Sequence, residues 1–235
     1  NKLDWTSSPG YPYMLRANTN RVLFQLDSSD RPSAERLDFF WQIVQKRLQG
    51  EDPDPIRLFV KAEAHTQRKL DSEKYRLISS VGIVDQIVDH MLFDPLNDAL
   101  IENCLFVPSK PGWSPFGGGH RIIPTSGWIA TDASSWDWTV RPWLLELVLQ
   151  FRYSLCENPT EEWLHLARRR YQALFKNPLF ITSKGLLLRQ LTPGAMKSGC
   201  VNTIADNSMM QDLLHLRVCL ELGIGTPALF SMGDD

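Results

Sequence analysis

Acidic side chains at two predicted strand ends are able to hold divalent metal ions. The stretch TDASSWDW places Asp132 at the end of a predicted strand and Asp137 five residues later. The stretch SMGDD places Asp234 and Asp235 after Gly233, a residue that permits a tight turn. Two strand ends that each present an Asp can hold two divalent ions about 4 Å apart. Mg²⁺ suits a site of carboxylates, water and substrate phosphates. Such a pair of ions catalyses nucleotidyl transfer, because one activates a ribose 3′-hydroxyl and the other stabilises the departing pyrophosphate.

A third stretch supplies hydroxyl and amide groups. In SGCVNTIADN a Ser-Gly turn leads into a predicted helix that carries Thr203 and Asn207 on one face. Each stretch taken alone has an ordinary explanation, since Asp, Ser, Thr and Asn are common in turns and at helix starts. The three stretches together predict one site for metal ions and a nucleotide.

Composition narrows the class of protein. The chain has 235 residues, 43% of them hydrophobic, and eight Trp, which is typical of a globular protein with a sizeable core. Its net charge of −2 gives no overall attraction to nucleic acid, so RNA binding would depend on local clusters. No run approaches the roughly 20 apolar residues that span a bilayer. The four scattered Cys predict neither a zinc site nor a disulfide framework, and favour a reducing, intracellular setting.

Helices and strands must bring the candidate residues together. Apolar side chains at helical spacing predict helices over residues 33–49, 85–100, 142–155, 160–175 and 200–222. Alternating apolar and polar residues predict strands within residues 56–65, 74–84, 127–134 and 227–231, and a hairpin over 179–190. Ser33 and Asn158 are candidate helix caps. Trp136 and Trp138 are predicted to lie in the core.

The motifs resemble those of a known family. TDASSWDW, SGCVNTIADN and SMGDD, in that order, resemble motifs A, B and C of viral RNA-dependent RNA polymerases. FVKAEAHTQRKLDSEKYRLISSVGIVDQ resembles motif F, and TSSPGYP resembles motif G. The wording KAEAH, KYRLISSV and DQ is most similar to sobemoviruses, poleroviruses and related positive-strand RNA viruses. The resemblance covers essentially the whole chain. One departure is EAH in place of the usual EPH, which removes a proline but no charge.

The resemblance implies an α+β, right-hand polymerase fold with fingers, a palm that contains an antiparallel sheet, and no thumb. Residues 1–124 would form fingers with the motif G and motif F regions, and 157–190 a fingers insertion. Residues 125–156 and 191–235 would form the palm. The chain would stop before the second strand of the catalytic hairpin, so we expect the isolated chain to be inactive and marginally folded.

The resemblance also assigns roles to individual residues. The catalytic carboxylates and metal ligands would be Asp132, Asp234 and Asp235, which would hold Mg²⁺ or Mn²⁺. The nucleotide-binding residues would be Lys61, Lys69, Lys74, Arg76, Asp137, Ser198, Thr203 and Asn207. The template-binding residues would be Thr6, Ser7, Gly10 and Gly199, of which Gly199 would also give its loop freedom to move.

Two of these roles have a physical basis in the residue types. A ribose 2′-hydroxyl both donates and accepts hydrogen bonds, so a carboxylate at Asp137 beside an amide at Asn207 suits its recognition. Residues 57–76 hold six basic and three acidic residues, a local net charge of +3. The guanidinium fork of Arg76 matches phosphate oxygens. Without its flanking motifs, this cluster is as readily explained as a solvated charged surface.

The implied partners are an RNA template with its nascent strand, ribonucleoside triphosphates and other viral replication proteins. The implied location is the host cytoplasm, in a membrane-associated replication complex. Two alternatives remain open. A reverse transcriptase shares the two-metal chemistry, but Asp137 with Asn207 and the GDD sequence favour ribonucleotides. A non-catalytic, RNA-binding remnant of the fold would have no need of its three carboxylates.

Overall fold

The computed structural model describes residues 3–123 and 125–234. These residues fall into two compact units. Unit 1 comprises the described residues up to Leu92, together with Arg169–Pro193 and Lys197–Val201. Unit 2 comprises Phe93–Arg168, Gly194–Met196 and the described residues from Asn202 onward. Each unit is therefore built from segments that are distant in the sequence.

Helices account for most of the regular structure in the described residues. They are α1 (Asn20–Leu23), α2 (Ala34–Gln49), α3 (Gln67–Asp71), α4 (Ile83–Glu102), α5 (Trp136–Thr139), α6 (Pro142–Ser154), α7 (Glu161–Tyr171) and α8 (Thr203–Leu222). A π-helical turn, Gln172–Lys176, follows α7 directly. Short 3₁₀ segments lie at Tyr13–Leu15 and Phe116–Ile122. None of these helices combines the length and apolarity that crossing a membrane requires.

The five predicted helices are confirmed as α2, α4, α6, α7 and α8. The N-caps predicted for α2 and α7, Ser33 and Asn158, are not confirmed. The side chain of Ser33 caps no backbone N–H of α2, although Ser33 lies at the N-cap position. Helix α7 begins after Thr160, whose Oγ1 accepts a hydrogen bond from the Trp163 N–H at 3.1 Å, so Asn158 is not its cap. Thr160 has the required position immediately before the first helical residue.

A four-stranded sheet lies in unit 1, with the order β2-β1-β3-β4. Its strands are β1 (Ile56–Val60), β2 (Leu77–Ser80), β3 (Leu179–Thr182) and β4 (Leu187–Arg189). β1 pairs with β2 in antiparallel and with β3 in parallel orientation, so the sheet is mixed. β3 and β4 form the predicted hairpin. The sheet thus joins an early and a late segment of the chain.

The antiparallel sheet predicted for residues 125–156 and 191–235 is not formed by the described residues. The segment 127–134 is irregular, and residues 227–231 contribute only a parallel bridge between Ser109 and Ser231. Ile129 is 88% exposed, so the apolar side of the predicted strand has no surface to pack against. A strand also needs a hydrogen-bonded neighbour, which alternation in the sequence does not supply.

Aromatic side chains form the core at the start of unit 1. Phe40 of α2 is buried and lies between Phe24 and Tyr13, with ring centroids 4.7 and 5.6 Å away. Val44, one turn further along α2, is 1% exposed. This packing fixes α2 against the loop that precedes it.

The core of unit 2 lies where α6 packs against α8. Val148 and Leu149 of α6, with Met209 and Met210 of α8, are almost completely buried. Trp136 is buried as predicted, whereas Trp138 is 72% exposed and the prediction that it lies in the core is wrong. In the short helix α5 these residues are two positions apart and point to different sides.

Candidate active site

Two carboxylates of unit 2 are exposed and unpaired. Asp132 lies in the irregular segment before α5, and Asp234 lies in the turn after Ser231. Within the described residues, neither carboxylate makes an ion pair or a hydrogen bond. Asp235, the third predicted catalytic residue and metal ligand, lies outside the described residues. Both described carboxylates are therefore available to a ligand from solvent.

The turn predicted at SMGDD is present. Gly233 has a φ of 76°, a left-handed conformation that glycine adopts without strain. Its backbone N–H donates to Ser208 Oγ at 2.9 Å, and Gln211 Nε2 donates to the backbone O of Asp234 at 3.0 Å. The carboxylate of Asp234 thus projects from a turn that α8 supports.

The donor chemistry of Asp132 and Asp234 fits a hard divalent cation. Mg²⁺ and Mn²⁺ bind carboxylate oxygens, and an exposed carboxylate exchanges water for such an ion without losing another partner. The described residues, which do not include Asp235, contain no group of three His, Cys, Asp or Glu side chains that could hold a metal ion. The fit therefore rests on the two exposed carboxylates.

Asn207 carries a buried acceptor with no partner. The residue is 3% exposed, and its Oδ1 accepts no hydrogen bond from the described residues. Buried acceptors are normally paired, so this Oδ1 keeps an unused capacity to accept one hydrogen bond. Thr203 begins α8 one turn before Asn207, and Asp137 lies half-buried in α5, where its backbone O accepts from the Met196 N–H at 2.7 Å. All of these residues belong to unit 2.

A buried polar chain fixes the start of α8. Asp206, the neighbour of Asn207, is 0% exposed and accepts from Nε and Nη2 of Arg152 at 2.9 and 2.8 Å. Arg152 also donates to Asn97 Oδ1 at 2.9 Å, and Asn97 donates to Asn202 Oδ1 at 3.0 Å. Sequence reasoning missed this chain. The only indication of it in the sequence is a charged residue within each apolar run, Arg152 in α6 and Asp206 in α8.

The predicted basic patch of unit 1 contains two separate pairs. The backbone N–H of Lys61 donates to the Arg76 carbonyl at 2.9 Å, and both side chains approach Glu63, at 2.9 and 3.7 Å. The hydrogen bond from Lys61 lowers the pKa of Glu63. The Lys74 N–H donates to the Lys69 carbonyl at 3.0 Å, and both ammonium groups are exposed without an ion pair in the described residues. Sequence reasoning missed Glu63 as the partner of Lys61 and Arg76.

The hydroxyls of the predicted template segment face a carboxylate. Thr6 Oγ1 and Ser7 Oγ donate to Asp4 at 2.6 and 2.5 Å. These hydrogen bonds lower the pKa of Asp4 to about 2, and the bond from Ser7 has the largest effect. Gly10 is in the left-handed region, and a Cβ there would lie 2.6 Å from the Val81 carbonyl O. The segment is thus held by its own hydrogen bonds and by a close backbone approach.

Ser198 and Gly199 lie against β2 in unit 1. Ser198 Oγ donates to the Leu77 carbonyl at 3.2 Å. A Cβ on Gly199 would lie 2.1 Å from the Ser79 carbonyl O, so the close approach requires glycine. The predicted mobility of this loop and the predicted contact of Ser198 with the ribose site stay predictions.

Comparison with known proteins gives matches over the whole chain. The family model described as "Viral RNA-dependent RNA polymerase" matches residues 1–235. The Replicase polyprotein P2AB of Southern cowpea mosaic virus is 39% identical over 264 residues, which cover 100% of this chain and 26% of that protein. The Protein P1-P2 of Pea enation mosaic virus-1 (strain WSG) is 36% identical over 274 residues, which cover 100% of this chain and 22% of that protein. The chain spans about a quarter of the length of these relatives.

A solved structure shares the fold. The "Sicinivirus 3Dpol RNA dependent RNA polymerase" matches with a TM-score of 0.74 and 23% sequence identity. The match covers 99% of this chain and 49% of that one. At this identity the likeness concerns the fold, a mixed arrangement of helices and strands.

Proposed function

The chain belongs to the viral RNA-dependent RNA polymerase family, and we propose that it carries the catalytic carboxylates of an enzyme that copies RNA. The reaction is transfer of a ribonucleotide to the 3′-end of a growing strand. The observation that carries the proposal is the state of Asp132 and Asp234, which are exposed and have no ion-pair partner in the described residues. A remnant that only binds RNA has no use for two unpaired carboxylates.

Asp132 and Asp234, together with Asp235, would hold Mg²⁺ or Mn²⁺. When bound, such ions lower the pKa of the attacking hydroxyl and neutralise charge on the departing pyrophosphate. The contribution of the chain is to hold the carboxylates in place: Gly233 allows the turn, and α8 binds its backbone. Asp132 would be positioned by the loop that leads into α5, in which it lies.

Ribose selection would fall to Asn207 and Asp137. The unpaired Oδ1 of Asn207 would accept from the 2′-hydroxyl, and the carboxylate of Asp137, in the same unit, would accept from the other ribose hydroxyl. A deoxyribose has no hydroxyl to donate and would leave the buried Oδ1 unpaired. The cost of that loss favours ribonucleotides over deoxyribonucleotides.

The triphosphate would bind the basic patch. Lys69 and Lys74 are exposed and unpaired in the described residues, so they bind phosphate without breaking an existing contact. Lys61 and Arg76 share Glu63, at 2.9 and 3.7 Å, and a triphosphate would compete with that carboxylate. The longer contact of Arg76 is the weaker one, so Arg76 is released first and offers its fork to the phosphate.

The proposal includes the right-hand organisation that the resemblance implies. Residues 1–124 and 157–190 would serve as fingers, and residues 125–156 and 191–235 as palm. The template would run along the segment of Thr6, Ser7 and Gly10 and past Gly199. Other viral replication proteins would be partners, in a membrane-associated complex of the host cytoplasm.

Primer extension tests the proposal. The protein from the complete reading frame is given primed RNA template, Mg²⁺, and either ribonucleotides or deoxyribonucleotides. We expect ribonucleotide addition, and a loss of at least ~10²-fold in Asp234→Asn, about 2.7 kcal/mol of barrier. Asp38→Asn, a change at an exposed Asp of α2, is the matched control and should leave the rate unchanged. Equal RNA binding by all variants without extension by any would replace the proposal with the RNA-binding remnant. Preferred addition of deoxyribonucleotides would indicate a reverse transcriptase.

A further inference from the structure

One face of α8 holds the turn that carries Asp234. Ser208, Gln211 and Asp212 are spaced by three and four residues, so they lie on the same face of the helix. Ser208 Oγ accepts from the Gly233 N–H at 2.9 Å, and Gln211 Nε2 donates to the Asp234 carbonyl at 3.0 Å. Side chains of the helix therefore bind two successive residues of the turn.

Asp212 attaches the same face to the residue that precedes the turn. Its Oδ1 accepts from Ser231 Oγ at 2.7 Å, and its Oδ2 accepts from Ser109 Oγ at 2.5 Å. Ser109 and Ser231 are buried and form the parallel bridge described above. An ionised carboxylate only accepts, so it orients both hydroxyls toward itself. Asp212 thus joins α8 to both segments of the bridge.

Backbone hydrogen bonds hold Ser231 from the other side. Its N–H donates to the Pro108 carbonyl at 3.2 Å, and its carbonyl accepts from the Lys110 N–H at 2.8 Å. The Nζ of Lys110 donates to the carbonyls of Cys104 and Val107, which holds the segment 104–110 together. Ser231 is therefore fixed between α8 and the segment 104–110.

We propose that Asp212 and Ser208 are positioning residues for Asp234, which fix the turn so that its carboxylate meets a divalent ion. The inference rests on the proposed function, in which Asp234 holds that ion. The Asp234 carboxylate has no partner of its own in the described residues, so the backbone of the turn sets its position. A site that binds an ion tightly needs its ligands held to within a fraction of an ångström. The hydrogen bonds of Asp212 and Ser208 supply this constraint.

Mn²⁺ binding, followed by electron paramagnetic resonance, tests the inference without relying on catalysis. The variants are Asp212→Asn and Ser208→Ala in the protein from the complete reading frame. Asn keeps the size of Asp but loses one acceptor for the two hydroxyls, and Ala removes the acceptor for Gly233 while it favours helix. We expect the Kd for Mn²⁺ to rise about 10-fold in both, as is typical when support for a metal ligand is lost. The Mg²⁺ concentration for half-maximal extension should rise in parallel, with an unchanged KM for template RNA.

Two further variants separate the possible failures. Glu221→Gln makes the same carboxylate-to-amide change on the exposed side of α8, where Glu221 pairs with Arg217 at 2.7 Å, and should bind Mn²⁺ normally. If Asp234→Asn itself leaves Mn²⁺ affinity unchanged, the proposed function fails. If Asp234→Asn weakens binding while Asp212→Asn and Ser208→Ala bind as tightly as Glu221→Gln, the positioning role is overturned and the proposed function stands. Should Asp212→Asn not fold, Ser208→Ala decides the outcome.

Discussion

The carboxylates of Asp85 and Asp89 in unit 1 and those of Asp132 and Asp234 in unit 2 have opposite surroundings. Asp85 and Asp89 of α4 are each 1% exposed, and Arg170 holds both. Arg170 donates to Asp85 at 2.6 Å and to both oxygens of Asp89, at 2.6 and 3.0 Å. Asp132 and Asp234 of unit 2 are exposed and have no cation among the described residues.

The difference follows from the cost of desolvating a charge. An isolated buried carboxylate loses its hydration and must be compensated by an ion pair and hydrogen bonds. Once compensated, it has no free oxygen for a ligand and contributes to the structure. An exposed carboxylate keeps water as its partner and can exchange that water for a metal ion. Exposure and lack of a partner therefore leave Asp132 and Asp234 able to bind an ion, and their sequence motifs distinguish them from other exposed carboxylates such as Asp38.

The largest effect is expected at the buried cluster. Arg170→Met removes the guanidinium, so Asp89 stays buried without its cation and Asp85 keeps only Arg47, whose Nε lies 3.6 Å away. We expect the local free energy of opening to fall by ~3–5 kcal/mol. Native-state hydrogen exchange of the α4 and α7 amides measures this quantity.

Arg168→Met is the matched control, because Arg168 is 46% exposed and lies 3.8 Å from Glu146. It should cost ~1 kcal/mol or less, as exposed ion pairs do. Equal costs for the two variants would mean that the buried cluster does not stabilise α4.

The next effect concerns rate instead of stability. Asp132→Asn should lower ribonucleotide addition by ~10²-fold, about 2.7 kcal/mol of barrier. Hydrogen exchange in unit 2 should change by less than ~0.5 kcal/mol, because the carboxylate is exposed and has no described partner to lose. A variant that keeps the full rate, or that loses stability along with rate, would contradict the contrast between the two regions.

A smaller effect is expected at the buried amide. Asn207→Ala removes the unpaired Oδ1, so preference for ribonucleotides over deoxyribonucleotides should fall by ~10-fold, about 1.4 kcal/mol. Single-nucleotide addition with each substrate measures the ratio. Asn103→Ala, a change at an exposed amide at the end of α4, should leave the ratio unchanged. An unchanged ratio in Asn207→Ala would remove Asn207 from ribose selection.

The smallest effect lies in the predicted template segment, where an exposed carboxylate does have partners. The Ser7 and Thr6 hydroxyls lower the pKa of Asp4 to about 2 from its model-peptide value of 3.8. Because the pKa is depressed on folding, the stabilisation is present above pH 3.8 and is lost as the pH falls through about 2. Carbon-13 NMR of the Asp4 carboxyl should show this low midpoint, and Ser7→Ala should raise it. A midpoint near 3.8 in the unaltered protein would contradict the observed hydrogen bonds.

Local patterns predicted the helices well and long-range contacts poorly. Apolar spacing located α2, α6 and α8 because each helix buries one face of its own residues. The pairing of Arg170 with Asp85 joins positions that are 85 residues apart, and no local pattern encodes it. The pairing of Lys61 with Glu63, only two residues apart, was missed for another reason, because a charged stretch does not show which of its side chains meet.

The site residues named from the sequence stay predictions, and the sequence indicated only part of what supports them. The order of the three motifs identified Asp132 and Asp234 before any geometry, and Gly233 indicated the turn. The predicted strand at 227–231 was wrong, because this segment is held by the side chains of Ser208 and Asp212 of α8 and not by a regular sheet partner. In the sequence, such support is indicated only by a lone Asp in an apolar helix, such as Asp206 or Asp212.

The most direct measurement compares two Asp→Asn changes within unit 2, Asp206→Asn and Asp234→Asn. Asp206 is 0% exposed and paired with Arg152, whereas Asp234 is exposed. Hydrogen exchange of α8 and single-nucleotide addition are measured on both proteins. We predict that Asp206→Asn loses ~3 kcal/mol or more of local stability, and that Asp234→Asn keeps its stability and loses at least ~10²-fold in rate. An Asp234→Asn protein that adds ribonucleotides at the unaltered rate would contradict the account.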